Sequence, residues 1–456
     1  MMEITTLVEK QRSFFDTGAT LSVEYRKKAL DTLLDQIKAH EDEIYAALKA
    51  DLGKGEFESY MCEVALTISE LKYQRSHIAR FSKPQRVYTP LAHFAGHSFR
   101  QPSPLGVCLV MSPWNYPFML AMEPLIGAIA AGNCAVVKPG NYAQNTCKVI
   151  SQIISAAFAP EYVCAVLGGR EENAALLDQK FDCIFFTGSV GVGKLVLEKA
   201  AANLTPVTLE LGGKSPCIVD KTADVKIAAR RIVFGKYLNA GQTCVAPDYL
   251  FVHEDIKQAL VDEIKLQIEK QYDGGASCEH LGKIINRKHF DRVKALIDGE
   301  EIICGGTYDK EALKIAPTVL DKITPQAPVM QEEIFGPVLP VIAYSDINDV
   351  IKYVRANPKP LALYLFTKDK TVEQRVLTEC QFGGGCINDV VVHLATSYTP
   401  FGGVGESGMG SYHGKKSFET FSHYKSIHSK ACWIDLPIRY QPANELKKKL
   451  LKIFIK

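Results

Sequence analysis

Gly106-Val107-Cys108-Leu109-Val110-Met111, followed by Leu120 to Ala131 and then Cys134-Ala135-Val136-Val137-Lys138, is the stretch on which the fold turns. The two short apolar runs are rich in β-branched residues and read as buried strands; the longer apolar segment between them reads as a helix. A strand that is apolar at nearly every position belongs to a sheet covered on both faces. The same rhythm continues with a helix around Thr146 to Phe158, strand Val163-Cys164-Ala165-Val166, short helix Asn173 to Leu177 and strand Cys183-Ile184-Phe185-Phe186. Strands separated by helical crossovers predict a doubly wound, parallel α/β domain.

The alternation restarts after Lys214, with strand Cys217-Ile218-Val219, helix Ile227 to Leu238, strand Tyr249-Leu250-Phe251-Val252, and helices near Ile256 to Gln271 and Arg287 to Asp298. A second doubly wound α/β domain over 212–395 is expected. Residues 1–81 read as helical, because Gln11 to His40 and Glu41 to Leu52 carry apolar residues at three- and four-residue spacing. Between Lys83 and Pro104 the prolines 84, 90, 102 and 104 punctuate an extended stretch that has the look of an arm.

With 456 residues, 47% of them hydrophobic and 23% charged, the chain has the size and composition of a soluble protein of two or three domains. A net charge of +2 gives no electrostatic pull toward nucleic acid. The 13 cysteines include no Cys-x-x-Cys pair, so neither a disulfide framework nor a metal site is expected. Scattered thiols suit a reducing compartment, and Met1-Met2-Glu3-Ile4-Thr5 lacks the basic head and apolar run of a signal peptide. Cytoplasm is the expected location. The tail Glu445-Leu446-Lys447-Lys448-Lys449-Leu450-Leu451-Lys452-Ile453-Phe454-Ile455-Lys456 reads as a frayed or packed terminal helix, basic enough for at most a weak surface preference.

Chemistry concentrates in a few segments. Cys244 stands in Gly241-Gln242-Thr243-Cys244-Val245-Ala246-Pro247, and Glu210 in Leu209-Glu210-Leu211-Gly212-Gly213-Lys214. A thiol nucleophile and a carboxylate base suit reaction through a covalent thioester. Phe186-Thr187-Gly188-Ser189-Val190-Gly191-Val192-Gly193-Lys194 closes a strand and opens a helix expected at Leu195 to Ala202. Glycines there let backbone amides approach an anion at the helix N-terminus. The spacing is not the dinucleotide G-x-G-x-x-G, and a plain tight turn is the alternative reading of the loop. Lys138 ends its strand at the edge where open α/β sheets bind ligands, or is a solvated lysine.

Together these segments resemble the aldehyde dehydrogenase superfamily, and most of all its shorter, dimeric class 3 branch. The resemblance runs through Pro113-Trp114-Asn115-Tyr116-Pro117, Lys138-Pro139, Phe186-Thr187-Gly188-Ser189, Leu209 to Lys214 and Gly241 to Cys244, then Glu332-Glu333-Ile334-Phe335-Gly336-Pro337 and Pro400-Phe401-Gly402-Gly403-Val404-Gly405-Glu406-Ser407-Gly408. It implies oxidation of an aldehyde to an acid with NAD or NADP, Cys244 as nucleophile, Glu210 as base and Asn115 as the side-chain half of an oxyanion hole. It implies that Lys138 and Glu333 hold ribose hydroxyls, that Phe335 packs by the nicotinamide end, and that Gly188, Ser189 and Gly193 flank the pyrophosphate, with Trp114 and Leu211 beside them. It assigns 1–81 and 105–211 to the cofactor domain, 212–395 to the catalytic domain, 82–104 and 396–430 to an arm that pairs two subunits, and 431–456 to a tail.

Tyr60, Tyr116 and Met119 are candidates for an apolar substrate wall, and Phe401 is either a fourth or a core anchor. Where many NAD-preferring relatives carry a Glu three residues after the lysine matching Lys138, this chain has Asn141. An uncharged side chain does not repel a 2′-phosphate, so NADP is expected to serve as well as NAD. The long hydrophobic anchor of some class 3 relatives is missing, so no firm membrane attachment is expected. The same Cys and Glu are also compatible with a thioesterase or an acyl-transfer enzyme discharging to coenzyme A, and a non-catalytic binding protein on the same fold is a third reading. Glu210 argues against acyl transfer, because acylating relatives generally lack that carboxylate.

Overall fold

A computed structural model describes residues 3–454. A six-stranded sheet forms from Val107–Met111, Cys134–Lys138, Val163–Ala165, Cys183–Gly188, Val207–Leu211 and Gly408–Met409. The first five are parallel, and in space the fifth and fourth precede the first, second and third. The strand order therefore reverses between Val107–Met111 and Cys183–Gly188, which opens a crevice at their carboxyl ends. Every residue of Val107–Met111 and Cys134–Lys138 is buried, as unbroken apolar runs demand.

A seven-stranded sheet takes Glu301–Cys304, Thr318–Asp321, Val338–Tyr344, Tyr249–His253, Pro216–Val219, Ala362–Phe366 and Gly384–Ile387 in that order, antiparallel only at its first pair. The expected pair of α/β units is present. The N-terminal helices clamp onto the first sheet: fully buried Gln11 donates to the carbonyls of Ala135 and Pro160 at 3.0 and 3.1 Å.

The arm is an antiparallel sheet of Gln85–Val87, Gly96–Pro104 and Ser422–Lys430. Residues 396–421, which the sequence reading placed in the arm, do not join it. Gly408–Met409 adds to the edge of the six-stranded sheet, and Tyr412 and Phe421 pack on Phe185 with ring centroids 5.0 and 5.9 Å away. Four buried aromatics, at 401, 412, 418 and 421, carry this segment into the core, an apolar pull that outweighs its glycine-rich backbone. The helix after Gly188 also starts earlier than expected, at Val190 rather than Leu195. Ser189 is its N-cap, so Gly191 and Gly193 lie inside its first turn.

Candidate active site

The Cys244 loop leaves helix Val225–Tyr237 through three successive left-handed residues, Asn239 (φ 52°), Ala240 (φ 51°) and Gly241 (φ 73°). Two of them pay a steric penalty for carrying a Cβ, a conformation held only when the surroundings over-determine it. Gln242 supplies that constraint. Its fully buried amide donates to the carbonyls of Asn239 and Lys283, both at 3.0 Å, and accepts from the Ile285 amide at 3.0 Å. At Gly241 a Cβ would stand 2.2 Å from the Gly336 carbonyl oxygen, so nothing larger fits.

Cys244 ends this loop half-buried. Burial raises its thiol above the ordinary cysteine range, and the nearby Glu333 and Glu210 carboxyls push the same way against the backbone N–H groups of Cys244 and Val245. The neutral thiol is therefore favoured over the thiolate. Glu210 lies mid-sheet, opposite Thr187 on one side and Gly408 on the other. It is 2% exposed, and neither carboxyl oxygen has a hydrogen-bond partner among the described residues. Desolvation alone lifts it well above the usual carboxylate range.

Asn115 follows strand Val107–Met111 at the switch point. Its Nδ2 donates to the Gln242 carbonyl at 3.0 Å, which leaves its second N–H free. Tyr116 is buried, with its hydroxyl 2.7 Å from Thr243 Oγ1. The loop bearing Cys244 is thus tied to Asn115, and the Glu210 charge bears on the Cys244 thiol. Tyr116 and Met119 belong to a separate apolar cluster with Cys62, Leu120 and Leu238, flanked by Met61, Leu66 and Phe234. Tyr60 is 50% exposed and stands outside it, and Phe401 is built into the main core, stacked 5.6 Å from the His413 ring. Neither of those two joins that cluster. Tyr60 opens a five-residue π-helical turn, Tyr60–Val64, whose extra residue carries Met61 and Cys62 to the cluster instead.

The residues expected to hold a cofactor stand on the strands and loops around the first sheet's carboxyl end and on the segment bearing Glu333. Gly188 ends its strand, Ser189 stands at the N-cap position of the next helix without a side-chain capping bond, and Gly193 in the first turn packs on Leu211. Lys138 is buried and gives two N–H groups to the carbonyls of Pro139 and Gly168, at 2.9 and 2.8 Å. Burial lowers its amine below the ordinary lysine range. Trp114 meets Phe335 edge-on at 5.4 Å between centroids and His289 at 5.1 Å. Glu333 closes against the backbone of Gly212, where a Cβ would sit 2.1 Å from Glu333 Oε2. Its Oε1 is buried without a partner among the described residues, and burial, then Asp248, push its carboxyl up to about 8. Lys214 pairs with Asp248 and donates to the carbonyls of Val329 and Glu332 at 3.0 and 2.9 Å, while Asp248 accepts from the Ile334 amide at 2.9 Å. That network fixes the segment bearing Glu333.

Sequence reasoning missed Gln242, His289, Asp248 and Glu172. Glu172 accepts the Gly169 amide at 2.6 Å and contributes a negative field at Lys138. An acid in the first turn of helix Arg170–Leu177 was the available signal. Among the described residues no group of three or more His, Cys, Asp or Glu is placed to hold a metal, and no helix is long and apolar enough to cross a membrane.

Comparison with known proteins agrees with this architecture. Residues 2–427 match the aldehyde dehydrogenase family. The 4,4'-diaponeurosporen-aldehyde dehydrogenase of Staphylococcus aureus is 44% identical over 448 residues, 98% of this chain and 97% of that one. A dimeric, NADP-preferring aldehyde dehydrogenase of Rattus norvegicus is 43% identical over 427 residues, 93% of this chain and 94% of its own length. A solved structure of Staphylococcus aureus AldH in a substrate-bound state matches with a TM-score of 0.98 at 43% identity, over all of both chains. The chain is an oxidoreductase acting on aldehydes, and it belongs to the aldehyde dehydrogenase family.

Proposed function

We propose that the chain oxidises medium- or long-chain aliphatic and aromatic aldehydes to carboxylic acids with NAD or NADP, through a thioester on Cys244. The observation that carries this reading is the Glu210 carboxyl, buried with neither oxygen partnered among the described residues and close enough for its charge to push up the Cys244 thiol. The dinucleotide fits the crevice: the orphaned Glu333 Oε1 and the third N–H of Lys138 suit ribose hydroxyls, and the free amides opening helix Val190–Ala201 suit the pyrophosphate. When bound, it supplies the hydride acceptor.

The chain's own residues do the rest. Cys244 Sγ adds to the aldehyde carbon, its proton passing to a water molecule and so to solvent, and negative charge develops on the former carbonyl oxygen. The free N–H of Asn115 and the Cys244 amide meet that charge; one such donor is worth roughly 3–4 kcal/mol. Loss of hydride leaves an acyl group on Cys244. Glu210 takes a proton from the water that attacks this thioester, and its raised basicity suits the task. The buried carboxyl disfavours the acyl-transfer alternative, which needs no water activation.

Three further features belong to the same proposal. The chain works in the cytoplasm. It acts as a homodimer: Ser422–Lys430 is a nine-residue edge strand, mostly exposed, of the kind that pairs with a second copy. Helix Glu445–Phe454 shows exposed Leu446, Leu450 and Ile453 amid Lys447, Lys448, Lys449 and Lys452, which gives the enzyme at most a weak attraction to anionic surfaces. Mixing the protein with NAD or NADP and a panel of aldehydes, without coenzyme A, tests the activity. Reduced cofactor appearing with equimolar acid is the expected result; product formed only after coenzyme A is added would overturn it.

A further inference from the structure

Behind the Asn115 loop lies a buried ion pair that the chemistry above does not use. Lys54 and Glu63 have fully buried side chains, with Nζ 2.6 Å from Oε1. Lys54 leaves the loop before short helix Glu56–Ser59, and Glu63 sits in the π-helical turn Tyr60–Val64. Removing two charges from water costs several kcal/mol per ion, and an apolar pair of equal volume usually does as well for stability. Folding alone therefore gives little reason for the pair.

What the two side chains touch is one short segment. Lys54 Nζ donates to the Asn115 carbonyl at 2.9 Å and lies 4.0 Å from the centroid of the Tyr116 ring. Glu63 Oε2 accepts from the amides of Phe118 and Met119, at 2.9 and 3.2 Å, at the start of helix Met119–Ala131. From the other side, Asn239 Nδ2 donates to the same Asn115 carbonyl at 2.8 Å and to the Gln242 carbonyl at 3.1 Å. Glu58 Oε1 holds the Asn239 amide at 2.8 Å. Residues 115–119 are thus clamped between the nucleophile loop and a charge pair, and the clamp fixes where the free N–H of Asn115 points.

We propose that Lys54 and Glu63 are positioning residues for the oxyanion donor, acting through the Asn115 carbonyl and the helix start at Phe118 and Met119. The inference rests on the role assigned to Asn115. It is tested with Lys54→Met, Asn115→Ala and the double variant, reading the single-turnover rate of NADH formation with benzaldehyde and the dissociation constant for NAD by fluorescence quenching. A displaced donor costs about 10- to 100-fold in rate, so Lys54→Met is expected to slow the turnover by that factor while NAD binding stays within about twofold. In the Asn115→Ala background the same substitution is expected to have little further effect, because the group it positions is gone.

An unchanged rate in Lys54→Met overturns the proposal, as does an equal loss in both backgrounds or a parallel loss of NAD affinity. Should Lys54→Met fail to fold, Glu63→Gln, which keeps shape and removes charge, goes through the same cycle with the same criteria. If Asn115→Ala alone keeps the full rate, the oxyanion assignment fails and this proposal fails with it. If Asn115→Ala is slow but the effects multiply, only the positioning role is lost.

Discussion

Glu210→Gln separates what the carboxyl does for the fold from what it does for the reaction. The side chain is buried with no partner for either oxygen, so an isosteric amide changes no contact among the described residues and removes only the titration. Burial holds the folded-state carboxyl well above its unfolded value near 4.3. As pH rises past that value the unfolded chain releases its proton first, so it binds fewer protons than the folded one. Stability then falls with pH across the window between the two values.

The Gln variant lacks that loss. It is expected to match the parent near pH 4 to 5 and to be more stable above. The gap grows by up to about 1.4 kcal/mol per pH unit, with a ceiling of about 4 kcal/mol at pH 7 while the folded carboxyl stays protonated. Steady-state turnover should fall by about 10²- to 10⁴-fold, the usual worth of a general base. Urea midpoints at pH 5, 7 and 8 and initial rates at the same values check both halves. A variant no more stable than the parent at pH 8, or a gap independent of pH, would refute a buried, unpaired carboxyl. The parent's turnover should itself rise toward alkaline pH as Glu210 gives up its proton.

Gly241→Ala is expected to cost about 2–3 kcal/mol and most of the activity, because the new Cβ meets backbone at 2.2 Å on a left-handed residue; thermal unfolding and initial rates check it. Catalytic efficiency with NAD should exceed that with NADP by less than about 10³-fold, or roughly 4 kcal/mol. Asn141→Glu should then cut the NADP value by about tenfold and spare NAD, through repulsion of the 2′-phosphate. Deleting residues 445–456 should weaken sedimentation with phosphatidylglycerol vesicles at low salt and leave turnover intact; equal sedimentation of both forms removes the tail from any surface role.

How much was legible in the sequence follows from what makes each feature. Strands such as Val107–Met111 and Cys134–Lys138 announce themselves because burial on both faces requires an unbroken apolar run. Cys244, Glu210 and Asn115 were readable because each stands in a distinctive local string, and the fold then brought the strings together. The arm's true extent was hidden. In 396–421 a glycine-rich run looks like loop, whereas Tyr412, Phe418 and Phe421 commit it to the core through contacts with residues more than 200 positions away. Lys54, Glu63, Gln242 and Asp248 were missed for a related reason. A buried charged or amide side chain looks like a surface one until its long-range partners are known. Tyr60 stays half-exposed, outside the buried cluster that takes Tyr116 and Met119, where a π-helical turn begins.

The central claim, a covalent bond between Cys244 and the substrate carbon, is open to direct measurement. Glu210→Gln enzyme mixed with NAD and benzaldehyde and quenched in acid within seconds should give intact protein heavier by one benzoyl group, about 104 Da, with the adduct mapping to the peptide bearing Cys244. About one equivalent of NADH per site should appear with it. NADH formed without any adduct, or an adduct on another cysteine, would contradict the account.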